Sequence, residues 1–166
     1  MVIPAIAARD VLKKRLEAVF SDAVMAEVYP DAKVPDVFLG YPVNEPPCYV
    51  AVDEIVDTAQ SSGAATMGHA QVGFTLNVWL FARHANLETA ANTLLCYIDA
   101  VFGAVLADQR LDFAVDNSFP RVLTAGTAAD SSKYYIAAAS VAVECSIYSQ
   151  CPQKLQEVVH ATNSNT

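Results

Sequence analysis

Residues 70–82 place an apolar side chain at every second position, and from residue 87 the apolar period changes from 2 to about 3.6. That change dictates a strand running directly into a helix. Val72, Phe74, Leu76, Val78 and Leu80 lie on one side of the strand, and Gln71, Gly73, Thr75, Asn77 and Trp79 on the other, so one face goes to a core. Asn86 then stands where a helix N-cap belongs, and Glu88 places a carboxylate in the first turn, where the helix dipole favours it. Leu87, Ala91, Leu94, Leu95, Ile98, Phe102, Val105 and Leu106 follow the helical period for about 30 Å. Such a helix is long enough to lie across a sheet. Ala90, Tyr97 and Val101 on its flank make the apolar stripe wider than one sheet face requires. Arg83 and His84 occupy the corner between the two elements.

The flanking segments extend this pattern. From Pro4 to about Ser21, Ala8, Leu12, Leu16, Val19 and Phe20 share one helix face, opposite Arg9, Asp10, Lys13, Lys14 and Glu17. Asp10 and Lys14 have the spacing of a favourable i,i+4 pair. The stretch YPDAKVPDVFLGYPVNEPP then holds five of the eight prolines, leaving room only for short edge pieces such as Val37 to Leu39. Residues 48–57 alternate as a strand, with Tyr49, Ala51 and Asp53 opposite Val50 and Val52. Residues 58–69, small and polar, read as a long mobile hairpin loop. Residues 119–126 and 132–148 form a closing hairpin around a polar TAADSS turn. The expectation is an α+β fold: an antiparallel or mixed β-sheet packed against one long central helix, with an N-terminal amphipathic helix. A single domain covers residues 1–148, and 149–166 is a C-terminal extension with a short helix after Pro152 and a frayed end.

Hydrophobic residues make up 54% of the chain, more than a small core needs, and the surplus reads as subunit interface. The formal charge of −8 has the wrong sign for gripping nucleic acid through its phosphates. Arg9, Lys13, Lys14 and Arg15 are concentrated in the first helix, a candidate basic contact face. The apolar run at 87–107 is broken by Asn92 and Asp99, so no membrane span is expected. Nor does the N-terminus have a signal peptide's basic region. Cys48, Cys96, Cys145 and Cys151 form no C-x-x-C pair and read as free thiols in a reducing cytosol, although Cys145 and Cys151 could pair in an oxidising compartment.

No sequence motif specifies a reaction. His69, His84 and His160 are far apart, and Asp53 and Glu54 point to opposite faces of a strand. Asp53 and Asp57 share a face but stand about 13 Å apart, too far for acid–base partnership. No nucleophile elbow, Walker loop, dinucleotide fingerprint or H-E-x-x-H is present. The expectation is therefore no enzyme, no cofactor and no metal. The reading from another class is a ferredoxin-like small-molecule binding module or enzyme, which requires a pocket with convergent polar groups.

The order of elements resembles the tail-completion or tail-terminator proteins of long-tailed bacteriophages and prophages, of the lambda type. Four stretches carry the resemblance: the early helix ending in EVYPD, PPCYVAVDEIVD, FTLNVWLFARHANLETAANTLLCYIDAVF with its L-x-V-W strand, and the closing VLTAGTAADSSKYYIAAASVAVECSIY. Together they span residues 5–148. The resemblance implies a virion tail protein, assembled in the bacterial host cytoplasm, that forms a homo-oligomeric ring, commonly a hexamer. Such a ring caps the tail tube and joins it to the head–tail connector, without reading DNA sequence. On that basis some of Asp53, Glu54, Asp57 and Glu144 are expected to line an acidic lumen through which DNA slides. The loop residues Ser61, Ser62, Gly63, Met67 and His69 are expected to reach a neighbouring subunit or the tube. Head-completion (stopper) and tail-tube proteins share this setting, although a tube subunit would favour a larger β-sandwich with a less dominant helix.

Overall fold

The computed structural model describes residues 2–53, 57–58, 69–131 and 133–150. The fold is α+β. Two helices, α1 (Val2–Val19) and α2 (Asp22–Val28), lead through the proline-rich stretch to β1 (Asp36–Leu39) and β2 (Cys48–Val52). After β3 (Asp57–Thr58) come β4 (His69–His84), α3 (Leu87–Leu106), β5 (Asn117–Ser131) and β6 (Tyr134–Gln150). The sheet is mixed, in the order β1-β2-β4-β6-β5, with β3 pairing on β4 beyond the end of β2. Among the described residues only β1 and β2 run parallel, Asp36 opposite Tyr49 through Leu39 opposite Val52. Gly40, at φ +72°, starts the return between them, a backbone region that suits glycine.

The alternation along β4 divides the sheet as its sequence predicts. Phe74, Leu76, Val78, Leu80 and Ala82 join Val50, Val52, Val141, Val143 and Cys145 in one core, and both long helices cover that face. From α1 come Ala5, Ala8, Leu12, Leu16 and Phe20. Each large side chain fully withdrawn from water contributes about 1.5–3 kcal/mol. Asn86 caps α3 as expected, its Oδ1 accepting from the Thr89 N–H at 3.1 Å.

The phase of α3 differs from the expectation. Its buried positions are Ala90, Thr93, Leu94, Tyr97, Ala100, Val101, Ala104 and Val105, the residues of the supposed flank among them. Leu87, Leu95 and Leu106 are exposed. The alanines let the helix backbone approach the sheet, and Tyr97 spans the remaining gap to donate a hydrogen bond to the Lys33 carbonyl. By length and composition α3 could cross a membrane, with a mean hydropathy of 1.5, but here it is packed on the sheet.

The closing hairpin is also longer than its sequence suggests. TAADS belongs to β5, which pairs with β6 down to Ser131 opposite Tyr134, so these residues are strand and not turn. Small polar residues favour turns when isolated; here β6 offers them a register, with irregularities between Val122 and Thr124 and between Ala129 and Ser131. At its far end β6 runs to Gln150 and takes up the first residues of the supposed extension. The short helix expected after Pro152 lies outside the described residues.

Between α3 and β5 the chain makes a left-handed turn through three consecutive non-glycine residues: Leu111 (φ 47°), Asp112 (φ 53°) and Phe113 (φ 65°). Left-handed backbone costs about 1–2 kcal/mol per residue. Two features offset this cost. Leu111 is fully buried, and Asp108 accepts hydrogen bonds from the N–H groups of Arg110 and Asp112, each at 3.0 Å.

Candidate functional site

The face of the sheet away from the helices carries the candidate site. Phe38 of β1, Tyr49 of β2 and Phe81 of β4 form an aromatic row across three strands, with ring centroids 6.4 Å and 5.0 Å apart. Tyr41 leans on Trp79 at 5.7 Å. Beyond them the floor is made of small or polar residues: Asn77, Ser140, Ala138 and Gly126. Ser140 Oγ donates to Asn77 Oδ1 at 2.9 Å, which satisfies both groups in the middle of the sheet. Among the described residues no helix packs on this face.

The acidic residues expected to line a lumen collect on or beside this face. Asp53 follows β2, its backbone N–H bonded to the Asn77 carbonyl at 2.8 Å and its carboxylate accepting from Trp79 Nε1 at 3.1 Å. Asp57 stands opposite Thr75, and Thr75 opposite Glu144, so one line across three strands joins positions distant in sequence. Glu144 does not present an unopposed charge: Arg121 of β5 donates to it from Nε and Nη2 at 2.9 and 2.6 Å. No local sequence signal marks Arg121, because only the β5–β6 register brings it within reach. Glu54 and the loop residues Ser61, Ser62, Gly63 and Met67 lie outside the described residues, whereas His69 opens β4.

The basic helix is less available than its sequence suggests. Arg9 pairs with Asp10 at 3.0 Å and Lys13 with Glu17, so the expected Asp10–Lys14 pair is replaced by these two. Arg15 turns inward to the Asp108 and Asp112 carboxylates at 2.5 and 2.7 Å and to the Asp108 carbonyl at 2.8 Å. It ties α1 to the left-handed turn. Lys14 is exposed and stands in none of these pairs. The N–H of Asp112, the Arg15 guanidinium and the N–H of Arg110 hold the Asp108 carboxyl down at about 2.

Arg83 and His84 form the corner between β4 and α3. Arg83 bridges to Asp130 at 2.8 Å and lies 4.6 Å from the centre of the Tyr134 ring. His84 Nδ1 accepts from the Asn86 N–H at 3.0 Å, so it helps turn the chain into α3. His69 and His84 begin and end the same strand, about 50 Å apart at strand spacing. Among the described residues no group of three or more His, Cys, Asp and Glu side chains could hold a metal.

Two concavities flank Tyr29 between α2 and α3. One, of about 320 Å³, is lined by Asp31, Thr89, Asn92, Thr93 and Cys96 among others. The other, of about 420 Å³, is more apolar. Burial and the neighbouring Asp99 push the Cys96 thiol up, away from the reactive thiolate. Cys145 is a free, buried thiol pushed up to about 12 by burial, and Cys151 lies outside the described residues.

The last feature is the β5 edge. All ten residues from Arg121 to Asp130 are exposed, on both faces of the strand. Val122 and Leu123 retain 38% and 45% of their surface in water, although they lie in an ordered sheet.

No family model matches the chain, and no curated protein matches it. Among solved structures, a chain of one described as the virion of native gene transfer agent (GTA) particle is similar. The match is at 15% identity and a TM-score of 0.42, covering 83% of this chain and 93% of that one. A similarity of that degree carries no function across.

Proposed function

We propose that this chain is a structural protein of a phage-type virion, a tail terminator or tail-completion protein that forms a ring on the tail tube and joins it to the head connector. The observation that carries the reading is the β5 edge. Among the described residues β5 ends the sheet, and a long edge strand with half-exposed Val122 and Leu123 is a template for another chain. A ring of like subunits covers the edge on every copy. The sequence resemblance across residues 5–148 supplies the identity of the ring. Asp53 and Asp57 supply the acidic contribution to its channel, with Glu144 weakened by Arg121.

Solution mass measured by light scattering over a wide concentration range, with electron micrographs of the largest species, tests the reading. Closed head-to-tail contacts give rings, and the resemblance implies about six subunits. A monomer that also fails to bind purified tail tubes refutes it. A head-completion protein would bind filled heads and ignore tubes, which separates the sister role.

A further inference from the structure

The apolar concavity between α2 and α3 contains a residue that the chain's own packing does not explain. Gly103 lies inside α3, where glycine is the poorest helix former after proline. A Cβ built there meets nothing within 4 Å. No internal contact requires the missing side chain, and φ at this position is helical. Gly103 does face the open groove, among Val24, Val28, Tyr29, Asp99 and Leu106. With no side chain at Gly103 and open space beside it, the α3 backbone is accessible from the groove to a group approaching from outside.

The same chain carries a matching projection. Phe113 ends the left-handed turn and is 82% exposed, and the Arg110 guanidinium lies 5.7 Å from its ring centre. Arg15, Asp108 and the buried Leu111 fix the turn, so the ring is presented rigidly and docks at a small entropic cost. Aromatic and arginine side chains are the residue types that dominate binding energy at interfaces. Knob and groove carry opposite charges. The groove holds the Asp99 carboxylate, positioned by the Tyr29 hydroxyl, and the knob brings Arg110. At about 420 Å³ the concavity is larger than a benzyl group needs.

We propose that Phe113 of one copy docks against Gly103 in the α2–α3 groove of a second copy, with Arg110 meeting Asp99. The inference deepens the self-assembly reading and rests on it for the identity of the partner. Head-to-tail repetition of this contact closes a ring, and a reciprocal contact gives a dimer.

The test follows the mass of the full chain against concentration for wild type, Phe113→Ser, Gly103→Leu, Asp99→Arg, Arg110→Asp and the double charge reversal. Association of wild type is expected to weaken at least about tenfold in each single variant, the scale of an interface hot spot. The double reversal should recover most of it, which a merely structural role would not do. Gly103→Leu should melt no lower than wild type, because the helix gains a better former and the side chain has space, so its loss of association cannot be assigned to misfolding. Wild type that stays monomeric at every concentration overturns the proposal, as does association indifferent to Phe113→Ser. Rings that persist in Phe113→Ser would sink the knob and leave the ring reading intact. A dimer that is lost in Phe113→Ser, with rings never seen, would do the reverse.

Discussion

Replacing Tyr97 by Phe removes a single oxygen from the join between α3 and the proline-rich crossing. The Tyr97 side chain is fully buried, its ring stands edge-on to Phe20 at 5.4 Å, and its hydroxyl donates to the Lys33 carbonyl at 2.5 Å. Phe keeps the ring contacts and loses the hydrogen bond. The bond is only partly buried, so the cost is that of a lost bond with a partly hydrated acceptor, about 1–2 kcal/mol. At this chain length that lowers the melting temperature by about 2–8 °C. The alkaline limb supplies an independent readout. Burial, and then the Cys48 thiol, push the Tyr97 phenol above its ordinary 10.0, so the unfolded chain ionises first. Stability from this group is therefore complete below pH 10 and falls as pH rises beyond it. Tyr97→Phe should flatten that fall. It should not abolish it, because burial and then Asp99 push Tyr29 up to about 12, and burial pushes Cys145 up to about 12. Urea unfolding at neutral pH and at steps through the alkaline range measures both effects. A variant within about 0.5 kcal/mol of wild type, the scatter of neutral surface changes, with an unchanged alkaline slope, would refute the anchoring role.

Adjacent leucines on α3 test the phase of the helix: Leu94→Ala should cost about 2–5 kcal/mol as a core truncation, and Leu95→Ala less than about 0.5, with the reverse order in chemical denaturation restoring the phase expected from the leucine pattern. Arg15→Met removes one of the groups holding Asp108 low. In wild type the Asp108 contribution is present above its ordinary 3.8 and is lost as pH falls towards about 2. The variant should titrate Asp108 closer to its ordinary value and lose stability at a higher pH. Carboxyl chemical shifts followed by NMR check this, and an unmoved Asp108 would remove Arg15 from the account.

Legibility in the sequence followed the range of the interaction. The strand β4 and the Asn86 cap were readable because alternation and capping are local properties of the chain. The phase of α3 was not, because the period weights large residues, and here the sheet selected the small ones, Ala90, Ala100 and Ala104, for close approach. TAADSS reads as a turn by composition and becomes strand only because β6 continues opposite it. Arg121 on Glu144 depends wholly on cross-strand register. The left-handed turn at 111–113 has no glycine or asparagine to announce it, and what holds it, Arg15, lies on α1, 93 residues before Asp108.

The places where sequence reasoning failed and the places where a lone subunit gains nothing coincide to an instructive degree. Leu87, Leu95 and Leu106 were assigned to the core by period and stand in water. Thr127 to Ser131 were assigned to a turn and instead prolong an uncovered edge. Gly103 weakens a helix without relieving any contact, and Phe113 sits on strained backbone with most of its ring exposed. In an isolated domain each of these is a local choice at odds with the global fold, and sequences that fold well keep such conflicts few unless a function requires them. The core itself shows no such conflict: among the described residues no buried side-chain nitrogen or oxygen lacks a hydrogen-bond partner. The conflicts are all on the surface, at the β5 edge, on the outer side of α3 and at the turn that follows it. That distribution locates the surplus hydrophobicity of the chain. Among the described residues it lies outside the core, on surface that stands in water.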